Sequence, residues 1–269
     1  METITDWNGQ SLEIRRSRGS GVPYVTSWEC NVIRPGSGEW PAWLLKQVRG
    51  YVARRSWFDD EDAAALAAEL GSISKFQSLR SEDAITWSWF GTLAVADDQA
   101  RVRTVQWLYD RLGLNASASE EVRIDQWLRV VHPNALSSPN GPEIDARIDD
   151  PRVALIYVES KWGAQLGSGK GAVEGTLDDQ VVLRRGSLRR DPALAGDPDR
   201  PYVVLGVSDR PPDLGPYAES GGAEGVRPVS VSWITWDDLA ACEVHPHAHE
   251  FARYLAWKRA QGSVEPRLI

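Results

Sequence analysis

PEIDARIDDPRVALIYVESKW, residues 142–162, is the stretch that decides the fold. Residues 142–148 alternate in polarity. Asp149-Asp150-Pro151 carries turn chemistry, and residues 152–162 are rich in β-branched and aliphatic side chains, so the stretch reads as a β-hairpin. Side chains of a strand alternate between its faces. Glu143, Asp145 and Arg147 therefore share one face of the first strand, and Val153, Leu155, Tyr157, Glu159 and Lys161 share one face of the second. Ile144, Ala146 and Ile148, with Ala154, Ile156 and Val158, form the opposite, core-facing side. An apolar strand thus ends in Glu159-Ser160-Lys161, with the carboxylate of Asp145 on its neighbour. Charges in such a place are costly unless paired or bound to a metal. Asp145 and Glu159 would also repel each other if left bare. A hard divalent cation such as Mg²⁺ removes both problems, because it takes oxygen ligands from one or two carboxylates, waters and substrate phosphates. Lys161, on the same side, could orient or deprotonate a water or stabilise charge developing on phosphorus. The plainer alternative is a solvated ion pair at a strand end, with Asp145 as a surface acid.

An Asp, a hairpin turn and then Glu-x-Lys at the end of a hydrophobic strand resembles the PD-(D/E)XK nuclease superfamily, the restriction-endonuclease-like fold. The resemblance implies an α/β chain in which a mixed β-sheet with a central β-hairpin is flanked by helices. Its element order is a helix, a three-stranded meander, a helix and a further strand. It covers residues 79–208, with an N-terminal extension at 1–78 and a C-terminal strand-helix extension at 209–269. It further implies a metal-dependent nuclease, most simply a DNA endonuclease of restriction or anti-phage defence, working with Mg²⁺ or Mn²⁺. Asp145, Glu159 and the carbonyl of Ser160 would hold the metal, and Lys161 would position or activate the attacking water. Ile144 rather than Pro precedes Asp145, which leaves Glu143 as a rival for the Asp role.

The resemblance reaches three more places. LRSEDAITWSWFGTL, residues 79–93, is similar to the first helix of one group in the superfamily, where Glu82 would be an acid near the metal. The other reading of Glu82 is a helix-start acid serving the dipole. Gln180 matches a Gln that many members carry on the helix after the motif strand; the alternative is an ordinary surface Gln. Arg184, Arg185, Arg189 and Arg190 form the densest basic cluster, and with Lys170 they would contact the nucleic-acid backbone. Salt pairing with neighbouring acids is the alternative. Cutting both strands of a duplex would favour a homodimer or a partner protein of a defence system. The competing function is a catalytically silent nuclease-fold protein that binds nucleic acid or serves assembly. Retention of all three motif residues weighs toward the enzyme.

The totals fit an ordinary globular protein: 269 residues, 42% hydrophobic, 25% charged. The net charge of −8 argues against non-specific coating of nucleic acid, while leaving room for a local basic patch. No run has the length of a membrane span, and METITDWNGQ lacks the basic and apolar regions of a signal peptide, so a cytoplasmic location without membrane attachment is expected. Cys30 and Cys242 stand far apart in no metal-like spacing and read as thiols.

Elsewhere, Arg15–Gly21 reads as a basic loop or arm, Tyr24–Ile33 as a strand, and Trp40–Arg54 and Asp59–Leu70 as helices. Ser81 caps a helix, Asp98–Leu112 is a helix stopped by Gly113, and Val122–His132 is the first strand of the meander. Leu177–Arg190 is a helix, Pro201–Ser208 and Val226–Thr235 are strands, and a short helix at Trp236 and a final one at His249–Gln261 close the chain. The Gly-rich stretch after Lys161 is not a phosphate-binding loop, because Ala164 stands where the first Gly should be and Gly171 follows Lys170. His245, His247 and His249 read as a loop entering the last helix, with metal binding as the lesser alternative. His132, at a strand end, reads as structural.

Overall fold

The computed structural model describes residues 2–16, 23–53, 75–134, 141–163, 179–194, 200–210, 212–217 and 227–262. The helix expected at Asp59–Leu70, Lys170 and most of the Arg15–Gly21 arm lie outside the described residues. The chain divides into two compact units, Met1–Val95 with His247–Ile269, and Ala96–Pro246. That differs from the three-part division at 79 and 209. No described helix is long and apolar enough to cross a membrane.

The first unit starts with an antiparallel three-stranded sheet, β1 (Glu2–Thr5), β2 (Ser11–Arg16) and β3 (Pro23–Val25). Leu12, Ile14 and Val25 are buried beneath it. The strand expected over Tyr24–Ile33 stops at Val25 and becomes a 3-10 turn, Trp28–Asn31. The buried Asn31 amide donates to the carbonyls of Phe76 and Ser78, which fixes a turn where strand pairing would otherwise continue. α1 spans Ala42–Ala53. α2, Glu82–Thr86, is capped by Ser81, whose hydroxyl accepts from Ala84 N at 3.1 Å, and it runs on through a π-helical turn, Trp87–Gly91. The C-terminal helix, Ala248–Gly262, belongs to this unit for visible reasons. Tyr254 donates to the Asn31 carbonyl at 2.8 Å, Trp257 donates to the Thr5 carbonyl at 2.8 Å, and Trp7 packs on both rings at 4.9 Å.

The second unit is mixed α/β. α3 (Asp98–Leu112) is capped by Asp97 and ends at Gly113, which takes the left-handed φ of 70° that such a helix end favours. Then come β4 (Arg123–Arg129), β5 (Glu143–Asp150) and β6 (Ala154–Ser160), a meander of antiparallel neighbours. α4 (Gln180–Arg190) crosses over to β7 (Tyr202–Ser208), which pairs parallel with β6, and β8 (Ser230–Thr235) adds parallel to β7. The sheet order is β4-β5-β6-β7-β8. β6 and β7 are buried along their whole length, as central strands of a parallel crossover should be. β5 alternates between half-buried and buried residues, as its sequence requires. Leu155, Tyr157, Tyr202 and Val204 form one core with Val181 and Leu188 of α4. Gly186 lets α4 come close to its neighbour, since a Cβ there would lie 2.9 Å from Pro133 Cβ. α5 (Trp236–Ala240) carries a complete capping box between Thr235 and Asp238.

Candidate active site

The hairpin register pairs Ala146 with Val158 and Arg147 with Tyr157; continued by one pair it sets Asp145 opposite Glu159. Asp145 Oδ2 accepts a hydrogen bond from Ser160 N at 2.6 Å, so its carboxylate lies at the end of β6. Glu159 is only 1% exposed, and Lys161 is 6% exposed. Lys161 Nζ donates to Glu159 Oε1 at 2.7 Å and to the Ser160 carbonyl at 2.7 Å. The backbone of Lys161 is pinned from both directions. Its N–H donates to Val207 O of β7 at 2.7 Å, and its carbonyl accepts from Trp236 Nε1 of α5 at 2.9 Å. The three motif residues therefore meet at the open end of the hairpin.

α4 brings a fourth charge. Arg184, 6% exposed, donates Nη2 to the Glu143 carbonyl at 2.6 Å, and the same nitrogen lies 2.9 Å from Glu159 Oε2. The second approach is an ion pair but not an aligned hydrogen bond, so Oε2 has no hydrogen-bond partner among the described residues. Arg184 is thus turned inward to the acids rather than outward to a phosphate backbone. Gln180, one turn earlier on α4, shares its helix face. Buried Gln180 Oε1, Ser160 Oγ and Arg184 Nε also have no hydrogen-bond partner among the described residues. A carboxylate oxygen without an aligned donor, set beside two cations, suits a polar ligand better than an inert core.

The donor set fits a hard divalent cation. Two carboxylates and the Ser160 carbonyl are all oxygen, and Glu159 Oε2 retains capacity to coordinate. No group of three or more His, Cys, Asp or Glu gathers among the described residues, so the set is two acids plus a carbonyl.

Trp127 adds a feature that sequence reasoning missed. The β4–β5 ladder pairs Gln126 with Ala146 and Leu128 with Ile144, and between them Trp127 adopts a φ of 52°. A bulky side chain in the left-handed region costs about 1–3 kcal/mol, and such strain gathers at functional sites. Here it falls at the position opposite Asp145.

The remaining candidates are placed as follows. Glu143 is half-buried and stands 3.8 Å from Arg129. Glu82 lies in the first turn of α2, in the other unit. Arg185 donates to the Tyr217 carbonyl at 2.8 Å, Arg190 is exposed and donates to the Pro133 carbonyl at 2.9 Å, and Arg189 is half-buried. His132 accepts from Asn134 N at 3.1 Å in a local turn, and His247 pairs with Glu250 at 3.0 Å. Both cysteines are free.

Comparison with protein-family models, with curated proteins and with solved structures finds no match.

Proposed function

We propose that this chain is a divalent-metal-dependent nuclease of the PD-(D/E)XK type, most simply a DNA endonuclease, built on a restriction-endonuclease-like core. The observation that carries the reading is the meeting of Asp145, Glu159 and Lys161 at one end of a buried hairpin. The order of elements from α3 to β7 (helix, meander, helix, strand) supports it, with α3 rather than α2 as the helix directly before the meander. Asp145, Glu159 and the Ser160 carbonyl would hold Mg²⁺ or Mn²⁺. When bound, such an ion supplies a Lewis acid for the phosphoryl oxygen and a more acidic water. Lys161, fixed between Glu159 and Ser160 O, orients a water by hydrogen bonding and sets a positive charge beside the phosphate. The pins from Val207 and Trp236 keep that ammonium in register. Gln180 is a supporting candidate, and restriction or anti-phage defence is the biology that the resemblance offers.

A second reading has an observation of its own. Lys161 and Arg184 already neutralise Glu159 without any metal, which suits a silent nuclease-fold protein that binds nucleic acid without cutting it. The deciding experiment incubates duplex, single-stranded and branched DNA, and RNA, with Mg²⁺ or Mn²⁺, beside an EDTA sample and the Lys161→Met protein. Metal-dependent cleavage lost in the variant is the expected result. Nucleic-acid binding without cleavage or metal uptake would transfer the case to the silent protein.

A further inference from the structure

We infer that Arg184 is a resident counter-ion that makes divalent-metal binding at Asp145 and Glu159 conditional on a phosphodiester. This inference rests on the metal-site reading above. Arg184 is not one of the motif residues, and it acts on the site through Glu159 as a positioning residue.

Charge balance carries the inference. Among the described residues, two carboxylates, Asp145 and Glu159, meet two cations, Lys161 and Arg184, and Glu143 beyond them stands beside its own cation, Arg129. These four described side chains therefore sum to zero charge before any metal arrives. A divalent cation entering alone would leave two uncompensated positive charges at a site whose Glu159, Lys161 and Arg184 are all buried, and uncompensated buried charge is strongly disfavoured. A phosphodiester anion entering with the metal cancels one of those charges. Without Arg184 the cluster would be negative and would attract the cation by itself.

Arg184 does not escape this role by swinging away. Its Nη2 is tied to the Glu143 carbonyl at 2.6 Å and its side chain is 7% exposed, so the charge stays where the structure puts it. A guanidinium also does not lose its proton to relieve the repulsion, as a buried lysine would.

The test measures Mn²⁺ binding calorimetrically to the full chain and to Arg184→Gln, each alone and with a short DNA duplex or a single-stranded RNA. Arg152→Gln, at the exposed hairpin turn, serves as a control for general loss of charge. For the unaltered chain, nucleic acid tightens Mn²⁺ binding by about tenfold or more, and Mn²⁺ tightens nucleic-acid binding by the same factor. Arg184→Gln binds Mn²⁺ alone about tenfold tighter than the unaltered chain, a gain that a merely structural loss does not produce. An Arg184→Gln protein that binds Mn²⁺ no tighter overturns the inference. If that variant fails to fold, the unaltered chain decides, and Mn²⁺ affinity indifferent to nucleic acid overturns it. Absence of Mn²⁺ binding in every sample overturns the metal-site reading as well, so the two failures are told apart.

Discussion

At the turn end of the hairpin, Asp150 is fully buried and accepts hydrogen bonds from three neutral donors: Ser119 N at 2.8 Å, Ser119 Oγ at 2.7 Å and Tyr109 Oη at 3.4 Å. At the open end Glu159 is as deeply buried, but its neighbours are the cations Lys161 and Arg184, and one of its oxygens lacks an aligned donor. Neutral donors fixed by backbone and loop satisfy a carboxylate in one geometry and leave it nothing to exchange. Charged side-chain partners balance a carboxylate while leaving a lone pair open to a ligand. The same residue chemistry on the same two strands thus gives a saturated acid at one end and one with an open oxygen at the other. Burial alone does not tell them apart; the partners do.

Changing one end at a time is the direct way to break that contrast. Lys161→Met should lower metal-dependent cleavage by about 10²–10⁴-fold, the range for a positioned proton-handling group. Its stability should fall as well, by up to about 3–5 kcal/mol, because one of the two cations facing Asp145 and Glu159 is gone. Single-turnover cleavage and urea unfolding of the same preparation check both halves. Asp150→Ala should lose stability alone. It leaves the Ser119 and Tyr109 donors facing nothing, at a cost of about 3 kcal/mol or more, while cleavage per folded molecule is unchanged. If the Asp150 variant instead lost cleavage while keeping its urea midpoint, the division of labour between the two ends would be gone.

How these ends were legible in the sequence follows from their distances along the chain. The hairpin, its alternation and the Glu-x-Lys end are local, and residues 142–162 predict them. Asp150 looks like a turn residue in the sequence, because its partners lie 31 and 41 residues earlier. The inward aim of Arg184 had a readable signal: with Val181 and Leu188 it falls on one helical stripe, and both of those residues are in the core. Its place in a run of arginines hid that phase. The union of the last helix with the first strands depends on Trp7, Asn31, Tyr254 and Trp257, a set spread over nearly the whole chain. The positive φ of Trp127 has no residue-type signal, since Trp is not a residue that favours it.

A third buried charge sharpens the same contrast in the first unit. Lys258 is fully buried, with Nζ 3.4 Å from Asn31 Oδ1, 3.3 Å from the Ser81 carbonyl and 5.5 Å from the Tyr254 ring. Burial lowers its pKa to about 7. Between that value and the ordinary lysine pKa, the unfolded chain binds the proton and the folded one releases it. Its contribution to stability therefore rises with pH from about 7 upward and levels off near the unfolded value of about 10.4. The difference in unfolding free energy between the parent and Lys258→Met, followed from pH 6 to 10 as a rough window, should carry that slope. A flat difference would mean that Lys258 keeps its charge on folding.

The smallest expected effect concerns which acid of β5 belongs to the site. Glu143 and Asp145 share a face, so alternation alone does not choose between them. The Glu143 carboxylate is 3.8 Å from Arg129, whose side chain is half exposed, and such pairs contribute about 0–1 kcal/mol. What Glu143 gives to Arg184 is its backbone carbonyl, which a side-chain substitution leaves in place. Glu143→Gln should therefore shift stability by less than about 0.5 kcal/mol and leave cleavage nearly unchanged. Asp145→Asn keeps an oxygen for Ser160 N but removes the charge, so it should lose cleavage while folding normally. The opposite result, with Glu143→Gln silent and Asp145→Asn active, would move the motif acid two residues back. The open end would then be built around the Glu143–Arg184 junction rather than the Asp145–Ser160 bond.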